Sequence, residues 1–426
     1  MKTLLIRRAR VVDPVAGLDG VRDVLIEEGK ISKVAARIQK PGVPTLDLDG
    51  LVVAPGFIDM HVHLREPGQE WKETIASGCA AAAAGGFVAV ACMANTDPVN
   101  DCRAVTEMIL AEAERHGAVR VLPVGALSKK MEGKELAEIG EMVAAGCVAV
   151  SDDGKSVMDG GLMRRALEYS TIFDLPVLVH EQDANLLGPG QMHEGAVSAR
   201  LGLAGMPASA EEALIARDVL LAEDAGARLH VQHVSTARGL TMIRLAKRRK
   251  VKVTCEATPH HLALTDEALE SFDANFKMNP PLRPEADRAA LLRGAAEGAI
   301  DAVATDHAPH HADEKGLEFA RAPFGVVGLE TAVGVVLTKL HHEEGVPLPR
   351  IVELLSVGPA RALRVAGGTL EVGAPADITV LDLDREWTVD PEKFKSKGRN
   401  TCFAGMPLKG AAAMTIVGGR VVHDAR

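Results

Sequence analysis

Two histidines separated by one residue, His61 and His63, are the first side chains whose spacing suggests metal chemistry. In an extended strand, residues i and i+2 face the same side, so both imidazoles can reach one metal ion. The pair alone is weak evidence, because random placement of the fifteen histidines produces such a pair about half the time. The surrounding sequence is stronger evidence, since the pair ends an apolar strand-like run and is flanked by Asp59 and Arg65. We predict metal binding, with a hydrogen-bonded core pair as the alternative.

Further metal-ligand types follow other apolar runs: His180 in LVHEQD, His233 in VQHVS and Asp306 in ATDHAPH. Taken singly, each histidine is better explained as a hydrogen-bonded core residue. Asp306 could bind a metal through one oxygen and take a proton from bound water with the other, with a helix cap or loop aspartate as the alternative. Together with the first pair they form a set of four histidines and one aspartate that suits zinc. Asp152 and Asp153 follow a fourth run. Adjacent strand residues point to opposite faces, so at most one of them is expected to bind metal.

Two polar residues near the ends of apolar runs, Arg65 and Asn95, are candidates for binding an anionic substrate. A guanidinium matches a carboxylate with two parallel hydrogen bonds. His310 lies in a charge-rich loop whose residues alone would suggest a solvated surface. The pair His260-His261 ends another run and could be packing.

Eight apolar runs of strand length, each ending in polar residues, alternate with helical segments. The runs are PGFIDMHVHL, GFVAVACMAN, VRVLPVGAL, CVAVSDDG, PVLVHEQD, RLHVQHVS, KVTCEATPHH and DAVATDHAPH. Helices are predicted at Thr74–Ala84, Ala104–His116 and Ala210–Ala225, the first ending at Gly85-Gly86. This alternation favours an α/β fold, a (β/α)8 TIM barrel, whose strand ends converge on the face where active sites are built. A doubly wound open sheet is the alternative.

Both ends of the chain have a different pattern, with short β-rich runs separated by turns. Glu28-Gly29 and Asp49-Gly50 occupy the positions of hairpin turns. We therefore predict a small β-sandwich domain assembled from residues 1–54 and 364–426, and a catalytic barrel of residues 55–363.

Composition excludes several other classes of protein. A net charge of −10 and an aromatic content of 3% disfavour a nucleic-acid surface. The sequence contains neither a membrane-spanning apolar run nor a signal-type h-region. The six scattered cysteines are typical of reduced core residues. These features predict a cytoplasmic protein.

The stretch DMHVHLREPGQEWKET (Asp59–Thr74) resembles the first-strand signature of dihydroorotases in the amidohydrolase superfamily. Two later stretches also resemble that family, ATDHAPHHADEK (Ala304–Lys315) and PFGVVGLET (Pro323–Thr331). Shorter matches are MANTDP, SDDG, LVHEQD, VQHVS, TPHHL and NPPLR. The C-terminal GTLEVGAPADITVLD resembles the return of such chains to their β-sandwich. The resemblance covers essentially the whole chain and is strongest to the bacterial class I type.

This resemblance implies one or two Zn²⁺ ions and assigns roles to individual residues. The implied zinc ligands are His61, His63, Asp153, His180, His233 and Asp306. Asp306 is also implied as the catalytic acid and base. The implied substrate contacts are Arg65, Asn95, Asn279, His310 and the backbone of Phe324 and Gly325.

One departure from the wider superfamily concerns the group that bridges two metals. Many relatives use a carbamylated lysine on the fourth strand, where this chain has AVSDDG. Asp153 replaces that lysine, as in the class I subgroup, and the nearby Lys155 is the alternative bridge.

The function implied is zinc-dependent, reversible hydrolysis of (S)-dihydroorotate to N-carbamoyl-L-aspartate in de novo pyrimidine biosynthesis. One alternative is another cyclic amidohydrolase, a hydantoinase or allantoinase; these lack the REPG segment and usually use the carbamylated lysine. A second is a non-catalytic assembly homologue, although such proteins generally lose ligand histidines. Expected partners are the small-molecule substrate, a second copy of the chain in a homo-oligomer, and aspartate transcarbamoylase, with no nucleic acid and no membrane.

Overall fold

The computed structural model describes residues 3–426, which form two large sheets and surrounding helices. The strands, numbered in chain order, are β1 (Thr3–Asp13), β2 (Leu18–Glu27), β3 (Lys30–Ala35), β4 (Thr45–Asp47), β5 (Val52–Pro55), β6 (Phe57–Val62), β7 (Phe87–Cys92), β8 (Arg120–Gly125), β9 (Ala149–Val150), β10 (Pro176–Val179), β11 (Met192–His193), β12 (Gly205–Met206), β13 (Arg228–Val231), β14 (Val253–Ala257), β15 (Ala302–Val303), β16 (Ile378–Thr388), β17 (Pro407–Val417) and β18 (Arg420–Asp424).

The helices lie mainly between the strands of the second sheet. They are α1 (Ile75–Gly85), α2 (Arg103–His116), α3 (Ile139–Ala145), α4 (Gly160–Ser170), α5 (Ala184–Leu187), α6 (Ala196–Leu201), α7 (Ala208–Ala225), α8 (Ala237–Arg248), α9 (Pro259–Ala263), α10 (Glu285–Glu297), α11 (Ala312–Lys315), α12 (Ala332–Val336), α13 (Leu348–Val352) and α14 (Gly358–Leu363). The helix after α12 continues as a π-helix over Leu337–Glu343, and a second π segment, Glu353–Val357, joins α13 to α14.

The predicted barrel is confirmed by the second sheet. Its strand order is β15-β14-β13-β10-β9-β8-β7-β6, and every pairing is parallel. Val62, at the end of β6, forms a parallel bridge to His307 beyond β15, which joins the first strand to the last. Each of the eight predicted runs contains one of these strands.

Helix α1 shows how local sequence sets the ends of these helices. Its predecessor Thr74 caps the N-terminus, accepting a hydrogen bond from the Ser77 amide, and Gly86 ends it in the left-handed region at φ 95°. The predicted ends agree within one residue. Gly85, its last residue, allows a close approach of the segment before α12, since a Cβ on Gly85 would lie 2.0 Å from the Leu329 carbonyl oxygen.

The strands end earlier than the sequence predicts. Strand β6 ends at Val62, and β15 ends at Val303. Of the predicted metal ligands, only His61 therefore lies on a strand, and the others lie in the segments that follow strand ends. Arg65 follows His63 by two residues, the spacing of neighbours on one strand face, but the two do not share a strand because the chain turns at Arg65 with φ 63°.

The two termini form one eight-stranded sheet, ordered β18-β17-β16-β5-β1-β2-β3, with β4 also on β1. Glu28 and Gly29 make the predicted tight hairpin between β2 and β3, both with positive φ. The predicted hairpin at Asp49-Gly50 is wrong, because β4 and β5 both pair parallel to β1, at different points along that long strand. The division into domains 1–54 with 364–426, and 55–363, stays a prediction.

None of the helices within residues 3–426 is long and apolar enough to cross a membrane.

Candidate metal centre

Imidazoles and carboxylates from five strand ends meet at one end of the barrel. His63 Nε2 lies 3.0 Å from Asp306 Oδ1, and His61 Nε2 lies 3.5 Å from the same oxygen. The two histidines come from the β6 end of the chain and Asp306 from the β15 end. Closure of the barrel therefore brings together residues more than 240 positions apart.

Asp153 stands at the centre of the cluster. Its Oδ1 lies 3.3 Å from His61 Nε2, 3.5 Å from His180 Nδ1 and 3.7 Å from His233 Nε2. Its Oδ2 lies 3.4 Å from His63 Nε2. Two groups of potential ligands result, His61–Asp153–His233 and His61–His63–Asp306, with His61 common to both. The Asp153 carboxylate also reaches the second group through its contact with His63.

In three of these imidazoles, the ring nitrogen that points away from the cluster makes a hydrogen bond, which leaves the other ring nitrogen to bind metal. His61 Nδ1 donates to Glu256 Oε1 at 2.8 Å, and His63 Nδ1 donates to Asn95 Oδ1 at 2.9 Å. His180 donates through Nε2 to Gln182 Oε1 at 3.2 Å. In each ring the other nitrogen faces the cluster, and once it carries no proton the ring is in the tautomer that metal ligation requires.

One buried atom supports a cation at this centre. Asp153 Oδ1 is buried and has no hydrogen-bond partner among residues 3–426, although three imidazole nitrogens lie within 3.7 Å. A buried carboxylate oxygen without a partner is costly. A divalent metal between this oxygen and the imidazole lone pairs would satisfy them together, so the donor set fits the metal that it implies.

The charges of the cluster favour the same interpretation. Burial opposes protonation of His61, but the Asp153 and Asp306 carboxylates raise the pKa of His61 well above its ordinary value. Burial raises the pKa of Asp153 and of Asp306, yet the neighbouring imidazoles hold the pKa of both carboxyls below the usual range. The carboxylates are therefore ionised and ready to bind a cation.

Glu256, on β14, is a site residue that the sequence reasoning missed. It is fully buried and accepts hydrogen bonds from His61 and from His230. Burial raises the pKa of Glu256, but these bonds outweigh it and lower the pKa to about 2. The available signal was a single acidic residue, Glu256, within the strand-like run KVTCEA.

Two of the ligand positions have strained backbones. His233 has φ 31° and Asp306 has φ 48°, in the left-handed region that residues with a Cβ seldom adopt. Such strain persists only where surrounding contacts enforce it, and it concentrates at functional sites. Here it turns both side chains from the strand direction into the cluster.

The predicted site residues surround one cavity of about 260 Å³. Eleven of the twelve line it, and His61 lies directly beneath. The lining residues are His63, Arg65, Asn95, Asp153, Gly154, His180, His233, Asn279, Asp306, Ala308, His310, Phe324 and Gly325. Their roles stay predictions, but the structure brings the predicted set together.

Arg65 reaches this cavity from the left-handed turn after β6. Its side chain is buried, and its Nε donates to the Pro309 carbonyl at 3.2 Å. Burial lowers the pKa of Arg65 to about 10, against the opposing effect of Asp306 and Asp153. It is therefore a cation at neutral pH. Its Nη2 lies 3.4 Å from His310 Nε2, and the side chain lines a cavity large enough for a small ring.

His310 is buried rather than solvated as its loop composition suggested. Its Nε2 donates to the Phe324 carbonyl at 2.9 Å. Burial, with the nearby Arg65 cation, lowers the pKa of His310 to about 2, so its imidazole is neutral. Through its hydrogen bond to Phe324, His310 connects the loop that contains Phe324 and Gly325 to the rest of the cavity wall.

The structure also separates the alternatives around the fourth strand. Asp152 accepts hydrogen bonds from the amides of Leu127 and Ser128 at 2.8 and 2.9 Å, so its carboxylate braces a loop outside the cluster. Lys155 is exposed to solvent and does not line the cavity. Asp153 alone of these three contacts the imidazoles.

Comparison with known proteins places these features in context. The sequence profile of a family described as Dihydro-orotase-like matches residues 50–238, and one described as Amidohydrolase family matches residues 325–423. A dihydroorotase from Anaeromyxobacter sp. (strain K) is 55% identical over 99% of this chain and 98% of its own length. A dihydroorotase from Geobacter metallireducens is 52% identical over 99% of both chains.

Solved structures with the same architecture include two hydantoinases. The L-hydantoinase from Arthrobacter aurescens has a TM-score of 0.90 and 26% identity, over 100% of this chain and 97% of its own. The D-hydantoinase from Thermus sp. has a TM-score of 0.85 and 25% identity, over 99% and 96% of the two chains. The similarity therefore extends over both the barrel and the terminal sheet.

Proposed function

The chain belongs to the dihydroorotase family, and we propose that it catalyses the reversible hydrolysis of dihydroorotate to N-carbamoyl-L-aspartate in pyrimidine biosynthesis. The observation that carries this proposal is the cavity in which the His–Asp cluster faces the buried guanidinium of Arg65. The cluster suits amide hydrolysis, and the guanidinium suits the carboxylate of the ring.

The cluster would hold one or two zinc ions through His61, His63, Asp153, His180, His233 and Asp306. Zinc held by these residues would supply Lewis-acid activation of the ring carbonyl and would lower the pKa of a water molecule at neutral pH. Asp153, whose carboxylate oxygens lie near histidines of both ligand groups, would be the residue shared by two metal positions. Imidazole nitrogens with carboxylate oxygens are ligands that zinc prefers.

Asp306 is the acid and base. Its Oδ1 faces His61 and His63, while the residue also lines the cavity, so Oδ2 is the oxygen available to the reacting molecule. In ring opening, the carboxylate accepts a proton from the attacking water and then delivers it to the departing ring nitrogen. Ring closure uses the same two transfers in the opposite order.

Arg65 and the amides around the cavity bind and orient the ring. The guanidinium forms charge-assisted hydrogen bonds to the ring carboxylate. Asn279 Nδ2 donates to Gln182 Oε1 at 2.8 Å, which fixes the amide of Asn279 at the cavity wall. Asn95 is similarly fixed by His63. The ring is thereby presented to Asp306 in one orientation, which lowers the entropic barrier of the reaction.

The two alternative functions are less well supported. The hydantoinase structures share the architecture but only 25–26% of the sequence, whereas the two dihydroorotases are 52–55% identical over nearly the full chain. A non-catalytic homologue would not need to retain a complete set of ligands. Here four histidines and two aspartates meet in one buried cluster.

Metal content and turnover of three proteins test this function. The wild type should contain zinc and hydrolyse dihydroorotate in preference to hydantoin or dihydrouracil. Asp153→Ala should lose metal or activity, because the shared carboxylate is gone. Lys155→Ala is the matched control, changing an exposed residue in the same loop, and should keep both.

Two results would contradict the proposal. Equal turnover of hydantoin and dihydroorotate by the wild type would reject the substrate assignment. Activity that depends on bicarbonate and disappears in Lys155→Ala would assign the bridge to a carbamylated lysine. Homo-oligomer formation, a complex with aspartate transcarbamoylase and the cytoplasmic location stay predictions.

A further inference from the structure

Two buried lysines lie behind the cavity wall, outside the set of residues already described. Lys277 is 2% exposed and Lys315 is 9% exposed. Among residues 3–426 the hydrogen bonds of both ammonium groups go to backbone carbonyls, so their charges are not balanced by ion pairs. This is unusual, because lysine is seldom fully buried without a charged partner.

Each ammonium group is instead surrounded by backbone carbonyl oxygens. Lys277 Nζ donates to the carbonyls of Phe319, Ala320 and Ala322 at 2.8, 3.2 and 2.7 Å. An ammonium group has three N–H donors. All three of Lys277 thus have acceptors in one short loop.

Lys315 binds the adjoining part of the same loop. Its Nζ donates to the carbonyls of Pro323 and Gly325 at 3.0 and 2.9 Å, with a longer contact to the Lys277 carbonyl at 3.4 Å. The loop also donates one hydrogen bond, from the Gly325 amide to the Lys277 carbonyl at 3.0 Å. The two lysines and the loop therefore form one connected unit.

This loop ends at the cavity. Phe324 and Gly325 line it, and the Lys277 ammonium lies 4.6 Å from the centre of the Phe324 ring, a cation–π contact. Gly325 has φ 122°, and a Cβ there would lie 2.8 Å from the Ala308 Cβ. The wall is close-packed, so a small shift of the loop would change the shape of the cavity.

We propose that Lys277 and Lys315 are positioning residues that hold the loop 319–325 in the conformation that binds substrate. Their role rests on the proposed function, because Phe324 and Gly325 are substrate contacts only in that function. A segment without helix or strand would otherwise have to be ordered when substrate binds, which weakens affinity. Buried ammonium groups with fixed acceptors order it beforehand.

The energetic cost of these lysines supports a specific role. Burial lowers the pKa of Lys277 to about 8, and burial with the neighbouring Lys277 cation lowers the pKa of Lys315 to about 7. Apolar side chains would fill the space without this cost but would leave the carbonyls of the loop without donors.

The test compares Lys277→Met and Lys315→Met with the wild type. We expect the KM for dihydroorotate to rise about tenfold or more, as for loss of hydrogen bonds to a charged group, while kcat changes less than about threefold. Zinc content should be unchanged. Hydrogen exchange of amides in residues 319–325 should accelerate, a local effect that general destabilisation would not confine to the loop.

Lys247→Met is the matched control. Lys247 also donates to a backbone carbonyl, that of Ala299, but at the end of the barrel that precedes the strands. It should change neither KM nor exchange of the loop. If Lys277→Met does not fold, Lys315→Met alone decides.

Unchanged exchange and unchanged KM in the folded variants would overturn the proposal, as would a fall in kcat with KM constant. A wild type that is inactive on dihydroorotate would reject the proposed function instead. The exchange measurement would still decide whether the lysines order the loop.

Discussion

At the scale of single residues, the two aspartates of the cluster have different surroundings. The Asp153 side chain is 4% exposed and contacts all four histidines, while that of Asp306 is 11% exposed and borders the cavity. The first is placed to hold metal, and the second can also exchange a proton with a bound molecule. Identical side chains thus acquire different roles from their neighbours.

Asp306→Asn should separate the proton transfer from metal binding. The amide keeps the shape of the carboxyl group but cannot accept the proton, so kcat for dihydroorotate should fall by about 10²–10⁴. Zinc content, measured in parallel, shows whether the metal is also disturbed. Asp301→Asn is the control, because Asp301 directly precedes β15 at the opposite end of the barrel and binds Lys247 there. Near-wild-type turnover in Asp306→Asn would assign the proton transfer to another group.

Arg65→Met tests recognition of the ring carboxylate. A charge-assisted hydrogen bond contributes about 1.5–3 kcal/mol, so kcat/KM for dihydroorotate should fall by about 10- to 150-fold or more. Turnover of the uncharged dihydrouracil should hardly change, and metal content should stay constant. Arg120→Met, which removes an arginine paired with Asp377 away from the cavity, is the control. Equal losses on both substrates would contradict carboxylate recognition.

At the scale of elements, the segment that connects two strands of the terminal sheet, β16 and β17, contacts the residues around the barrel site. Between β16 and β17, Ser396 donates to Glu73, which in turn binds His307 next to Asp306. Asn400 Nδ2 donates to the carbonyls of Ala308 and Gly325, at 3.0 and 3.1 Å. The terminal unit thus helps to shape the cavity as well as covering the barrel.

Asn400→Ala should lower activity although Asn400 is neither a proposed metal ligand nor a proposed substrate contact. It removes the donor to the Ala308 carbonyl and the acceptor of the His310 amide, each a buried group whose loss of partner costs about 1–3 kcal/mol, whereas the Gly325 carbonyl keeps its bond from Lys315. We expect kcat/KM to fall about tenfold and Tm to decrease. The control is Asn185→Ala, at an exposed position in α5. A variant with a lower Tm but unchanged kcat/KM would show that the segment only stabilises the fold.

At the scale of the whole molecule, buried neutral histidines make stability depend on acid. His193, on β11, receives a hydrogen bond from Arg283, which also binds Glu211 and Ser235. Burial and the Arg283 cation lower the pKa of His193 to about 4. Arg283 thereby connects the loop around β11 with α7 and with the segment after β13.

The sign of the pH effect follows from that shift. Unfolded His193 has an ordinary pKa near 6.5. Below this pH the unfolded state therefore binds a proton at His193, while His193 in the folded state stays neutral until about pH 4. The contribution of His193 to the free energy of unfolding should therefore fall between pH 6.5 and about 4, by about 2–3 kcal/mol in total. Urea unfolding of the wild type and His193→Asn across this range measures the difference. Parallel curves for the two proteins would contradict the assignment.

Much of the molecule is already determined by local patterns in the sequence. Apolar runs followed by polar residues indicate the eight barrel strands, and Thr74 with Gly86 marks the ends of α1. The metal-ligand types, His61 and His63 above all, stand at strand ends and can be found from their spacing. These features depend on neighbours within a few residues, so the sequence alone contains them.

The tertiary structure decided the rest, because it depends on residues far apart in the chain. Only barrel closure distinguishes Asp153, which meets imidazoles from three other strands, from Asp152, which binds a loop. A left-handed turn, rather than strand alternation, directs Arg65 into the cavity. Glu256 becomes a site residue only through a hydrogen bond to His61, 195 positions away. Which donor meets which acceptor is set by packing in three dimensions, and local periodicity carries no record of that pairing.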